Sequence, residues 1–180
     1  MKKLAQHNRD LVLDLLAERL AVARTETRIQ GALIDRPGLA QDEIAGKALP
    51  LLARLRQDTV EHTFWLQARI RELGGDPESP GPRARLAATE ASGIAQIAFE
   101  PGRSIAEVFH ALMALALVDH AGWFTLLNLA AEAEDEVAQE SLRRKIDDAN
   151  DELHALRTIV QAFARRDLLG IVTDVSRKAA

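Results

Sequence analysis

The side chains here that can do chemistry are carboxylates and imidazoles set among aliphatic residues. In "RQDTVEHTFWLQARIRELGGDP", Arg56 to Pro77, the residues Asp58, Glu61 and His62 interrupt a long, largely apolar helical pattern. A helical residue advances about 100°, so Asp58 and His62 share the face of Leu51, Leu55, Leu66 and Leu73, with Glu61 nearer its edge. Glu26 falls beside Val22, Ile29 and Leu33, with Arg19 two turns earlier on that face. Asp119 lies in the middle of the stripe of Val108, Leu112, Leu115, Trp123 and Leu126. The last stripe, Leu142, Ile146, Leu153, Leu156 and Val160, has Ala149 at its centre and Glu152 at its border, while Asp148 and Asp151 point away.

A carboxylate buried among aliphatics without a partner costs several kcal/mol or titrates to neutral. Several such groups converging in one bundle therefore call for a cation. One candidate is a metal, iron or manganese, held by Glu26, Asp58, His62 and Asp119 with Glu152, which would support oxidase-like or metal-handling chemistry. Bundle sites of the di-iron type take a Glu from each of two helices and a Glu-x-x-His motif from each of the other two. The other candidate is arginine, and Arg19 and Arg69 lie on faces from which they can reach in. Both readings place Glu26, Asp58, His62 and Asp119 largely buried near mid-bundle, with Asp148 and Asp151 more exposed.

Local alternatives stand beside these. Asp58 and His62 are also spaced as an i, i+4 pair with Glu61 solvated. His110 and His120 fall off the centre of their stripe and read as ordinary helix residues, and Trp65, Trp123 and Phe124 as packing. The acidic run Glu132 to Glu136 suits a turn that favours the next helix N-terminus. With no cysteine, no Gly-rich phosphate loop and no nucleophile elbow, any enzymatic reading rests on metal alone.

The elements that must position these residues are long helices. The 180 residues carry 28% charged residues, only 10 Gly and 6 Pro, and a hydrophobic content of 47%, which together point to an all-α domain. Helical spacing runs from about Asn8 to Ile34, from about Gln41 to Leu73 with Pro50 near its first turns, from Ile105 to Glu132 and from about Glu136 to Leu169. "DRPG", "GGDPESPGP", "EPGRS" and the Glu132 to Asp135 turn separate them. Ile105 to Glu132 is apolar nearly all round, which predicts the most buried helix. The predicted plan is a ferritin-like four-helix bundle of two antiparallel hairpins. A short extra helix, "RLAATEASGIAQIAF", lies in the long crossover across the bundle end. Residues 1–170 form the domain and 171–180 a C-terminal tail.

The chain resembles the stress-associated bacterial ferritin-like proteins of YciE type, a family of uncharacterised function. The similar blocks are "VARTETRIQGAL", "DTVEHTFWLQARIRELGG", "RLAATEASGIAQIAF" and "VDHAGWFTLLNLAAE". The resemblance implies a fold related to di-iron proteins and a place in stress response or metal handling. This sequence departs from the family pattern at Asp58 and Asp119, where glutamate is expected, and at "DDANDELH", where Ala149 faces inward. The competing reading is a metal-free structural or protein-interaction module that retains the fold. A net charge of −4 with scattered basic residues argues against nucleic acid. The polar N-terminus and the absence of a long uninterrupted apolar run argue against a membrane span, so a cytoplasmic protein is expected. A homodimer is expected by analogy with similar acidic helical domains.

Overall fold

The computed structural model describes residues 1–172 and 175. It is all-helical: α1 (Lys2–His7), α2 (Arg9–Ile34), α3 (Ala45–Glu72), α4 (Pro82–Phe99), α5 (Ile105–Glu132) and α6 (Glu136–Leu169), with no strand among the described residues. The helix ends follow from local chemistry. Asn8 caps α2 by accepting the Leu11 N–H at 3.0 Å. Ser104 and Glu107 close a capping box at the start of α5, and Asp135 accepts the Ala138 N–H to start α6. Pro82 opens α4 at its first turn. Gly170 ends α6 in the left-handed conformation, with φ 66°. All four expected breaks separate helices, and Pro50 sits inside a continuous α3.

α2 packs on α3, α4 and α5, and α5 packs along α6, whereas α3 and α6 meet only sparsely. The crossover helix differs from expectation. α4 does not cap a bundle end but packs on α2 and α5, burying Ala84, Ala87, Ala91, Ala95 and Ala98 along its whole length. Methyl side chains let two backbones approach closely, so the alanine stripe favours lengthwise packing.

α5 also departs from expectation. One side is fully buried through Phe109, Leu112, Leu115, Trp123 and Leu126, but Leu117 and Phe124 on the opposite side are 42% and 52% exposed. All-round apolarity predicted all-round burial, but α2, α4 and α6 cover only part of its surface. By length and composition α5 is apolar enough to cross a membrane, contrary to the reading of the sequence.

The core has two parts. One groups Val22, Ile29, Leu33, Leu52, Leu112, Leu115, Leu156 and Phe163. The other groups Leu16, Leu20, Leu66, Trp123, Leu126, Leu142 and Ile146. Glu26, Thr59, His62, Asp119 and Glu152 lie between them in the sequence of their helices, with Arg19 and Gln30 on α2 just to either side. Of the tail, Val175 is buried against the first part; residues 173, 174 and 176–180 lie outside the described residues.

Candidate functional site

The polar layer draws on four helices. α2 supplies Arg19, Glu26 and Gln30, α3 supplies Thr59 and His62, α5 supplies Asp119, and α6 supplies Glu152; all seven are buried. Gln30 Nε2 donates to Thr59 Oγ1 at 3.2 Å and to Glu152 Oε1 at 3.1 Å, linking α2 to α3 and α6. Thr59 in turn donates to the Leu55 carbonyl. The Glu26 and Glu152 carboxyls are neighbours, each acting on the other's proton affinity.

Asp119 is held differently. Trp123 Nε1 donates to its Oδ2 at 2.6 Å, one helical turn along α5. The Arg19 guanidinium stands 3.6 Å from Oδ1 and donates to the carbonyls of Val118 and Asp119 at 2.8 and 3.1 Å. Its other end meets Glu18 Oε1 at 2.7 Å. This approach requires Gly122, because a Cβ there would overlap the Arg19 guanidinium carbon. His62 turns outward: its Nε2 lies 3.0 Å from Asp148 Oδ2, and its ring stands edge-on to Trp123 with centroids 5.5 Å apart.

Burial dominates the electrostatics. It pushes Glu26 well above the usual carboxyl range, with the charges of Glu152 and Asp119 adding to the shift. Glu152 is raised to about 8 by burial and then by the Asp119 charge, against the hydrogen bonds from Glu26 and Gln30. Asp119 is raised by burial, with Arg19 and His62 opposing. At neutral pH protons therefore remain on the Glu26–Glu152 pair, while Asp119 faces a fixed cation.

Of the residues expected at the site, Glu26, His62, Asp119 and Glu152 are buried. Glu26 and Glu152 are neighbours in this layer. Asp58 is a correction: it is only half-buried, and its neighbour Thr59 takes the inward position. Thr59 lies near the centre of the buried face of Leu52, Leu55, Leu66 and Ile70, whereas Asp58 lies about 80° to one side of it, beyond His62. Arg69 is a second correction. It pairs with Glu72 at 2.6 Å and lies over Trp65, rather than reaching the acids. Asp148 and Asp151 are exposed as expected, yet Asp148 is the partner of His62, which the sequence did not suggest. Gln30 was also missed, although its position one turn beyond Glu26 puts it on the same face.

A di-metal carboxylate centre makes demands that this layer does not meet. Its inward positions are Glu26 on α2, Thr59-x-x-His62 on α3, Asp119 on α5 and Ala149-x-x-Glu152 on α6. Thr59 and Ala149 thus stand where the two Glu-x-x-His motifs of such a centre begin, and Glu152 stands where the second imidazole would. Among the described residues, no three His, Asp or Glu side chains are grouped so as to hold a metal ion. The residues do not fit a di-metal centre. Three buried acceptor oxygens nevertheless have no hydrogen-bond partner: Glu26 Oε1, Gln30 Oε1 and Asp119 Oδ1.

A surface concavity of about 1230 Å³ shares no residue with this layer. Its basic side chains, Lys2, Lys3, Arg69 and Arg143, are mixed with five acidic ones contributed by α3, α6 and the turn before α6, so it presents no single charge to a ligand. Comparison with protein-family models, curated proteins and solved structures finds no match for the chain.

Proposed function

We propose that the protein is a ferritin-like four-helix bundle that works without a metal centre, as a structural or protein-interaction module. Its hairpins are α2–α3 and α5–α6, with α4 in the crossover. The four long helices and the inward positions at one level of the bundle support the plan. The observation that carries the metal-free reading is the way the buried charges are already balanced. Arg19 faces Asp119 at 3.6 Å, and the Glu26–Glu152 pair retains protons at neutral pH because of its burial. No further positive charge is needed to keep these acids inside.

The unpartnered oxygens of Glu26, Gln30 and Asp119 favour a second reading. In it, a single iron or manganese ion replaces the protons, and the protein handles metal under stress. One experiment separates the two. The chain is purified from iron- and manganese-supplemented growth, its metal content is determined, and its thermal unfolding is followed with chelator, Fe(II) or Mn(II). The metal-free reading expects substoichiometric metal and the same Tm in every condition. Near-stoichiometric metal, or a Tm rise that Asp119→Asn abolishes, overturns it.

A further inference from the structure

The exposed side of α5 is patterned. His110, Ala114, Leu117, Ala121, Phe124 and Asn128 recur at alternating intervals of four and three residues, the seam of a paired helix. Leu117 and Phe124 are 42% and 52% exposed, Ala121 is exposed and Ala114 half-buried. No charged residue falls in the stripe. Nothing within the described residues covers it, and neither His110 nor Asn128 makes a side-chain hydrogen bond there.

We propose that this stripe is the interface with a second copy of the chain, the two α5 helices running antiparallel about a two-fold axis level with the middle of the Leu117–Ala121 turn. The sizes along the stripe are self-complementary in that register. Leu117 meets the partner's Ala121, and Phe124 meets the partner's Ala114. Each large side chain faces a methyl group in both directions, as an isologous contact requires. At the ends His110 meets the partner's Asn128, a donor–acceptor match for two groups that make no side-chain hydrogen bond among the described residues.

Charge complementarity on α6 points to the same occupant. His120 Nε2 lies 2.9 Å from Asn150 Oδ1, which fixes the level of α6 beside the stripe. Since α5 and α6 form a hairpin, Asp147 lies level with Trp123 and Arg157 level with Met113. Both are exposed, and neither forms an ion pair among the described residues. The two-fold that puts Phe124 against the partner's Ala114 also brings Asp147 to the level of the partner's Arg157, twice per dimer. The stripe is about 30 Å long and about 10 Å wide. It supplies less than half of the roughly 800 Å² per partner of a standard interface, so the α6 rim is needed.

The test is oligomeric state by sedimentation equilibrium, with register read by crosslinking. Wild type is expected to be a dimer, and Leu117→Glu a monomer with an unchanged helical spectrum. Asp147→Arg and Arg157→Asp should each weaken the dimer at least tenfold, and the double exchange should restore it. The chain has no cysteine. Mixed Leu117→Cys and Ala121→Cys chains should therefore oxidise to a heterodimer, and mixed Phe124→Cys and Ala131→Cys chains should not. A monomeric wild type at about 100 μM, a dimer untouched by Leu117→Glu, or crosslinking in another register overturns the proposal. So does a monomer that floats with phosphatidylcholine vesicles through Leu117 and Phe124, because the stripe would then face lipid.

Discussion

Glu152 keeps its proton through the neutral range. Its folded pKa is about 8, above the 4.5 of an unperturbed Glu, so between those values the folded chain binds more protons than the unfolded one. Stability is then fully present below about pH 4.5 and falls as pH rises toward 8. The raised Glu26 pushes in the same direction. The groups with lowered pKa values, Asp42, Asp135 and Glu107, act at the acid end, outside this window. Glu152→Gln should match wild type near pH 5 and exceed it at pH 9, by about 2–5 kcal/mol. Chemical unfolding across that range checks it, and a wild type with flat stability from pH 5 to 9 would show that Glu152 is ionised at little cost. Arg19 gives the complementary prediction. Arg19→Met keeps the length but leaves Asp119 with Trp123 alone, at a cost of about 3–5 kcal/mol. Adding Asp119→Asn should recover most of that in a double-mutant cycle, whereas additive losses would mean the two side chains do not interact. Counting 100° per residue was enough to find Glu26, His62, Asp119 and Glu152 in the sequence. It failed at Asp58 because the inward direction at Thr59 is a matter of one residue step. It missed Asp148 because a partner contributed by α6 depends on the spacing between helices, which no local pattern encodes.

Helix boundaries were legible because their causes are local: Pro and Gly at the breaks, Ser104 with Glu107, Asp135 and Gly170 at the ends. The placement of α4 was not. Its alanines read equally well as a weakly apolar connector, and only the packed structure shows that Ala84, Ala87, Ala91, Ala95 and Ala98 set its close fit on α2 and α5. α5 misled in the opposite way, since its periodicity could not say how many neighbours it has. A close helix fit is intolerant of volume, so Ala91→Leu should force the helices apart and cost about 1–3 kcal/mol. Ala88→Leu, on the exposed side of the same helix, should change little. Thermal unfolding of the two variants is the check. Equal behaviour would mean that α4 rests loosely on the bundle and that its alanine stripe has no packing role.

For the molecule as a whole, the polar layer interrupts a core that would otherwise run the length of the bundle. Two apolar clusters lie on either side of it, and the few links between α3 and α6 include the polar chain from Thr59 through Gln30 to Glu152. Buried charges that are balanced by one another are often less stabilising than apolar residues of similar volume, although removing one member alone is costly. The combination Arg19→Met, Glu26→Leu, Asp119→Asn and Glu152→Leu removes the arginine and all three acids of the inner layer, while the amide introduced by Asp119→Asn keeps an acceptor for Trp123. The carbonyls of Val118 and its neighbour lose only the extra donor from Arg19, and Glu18 retains Arg83 at 2.9 Å. The combined variant should be as stable as wild type at pH 7 or more so, by up to about 4 kcal/mol. Its stability should no longer fall between pH 5 and 8, whereas Arg19→Met alone should be markedly destabilised. Calorimetric unfolding of the three proteins at both pH values measures this. If the combined variant unfolds at a lower temperature than wild type, the layer supplies net stability that its own side chains do not account for. A bound cation among the unpartnered oxygens of Glu26, Gln30 and Asp119 would then be the better reading.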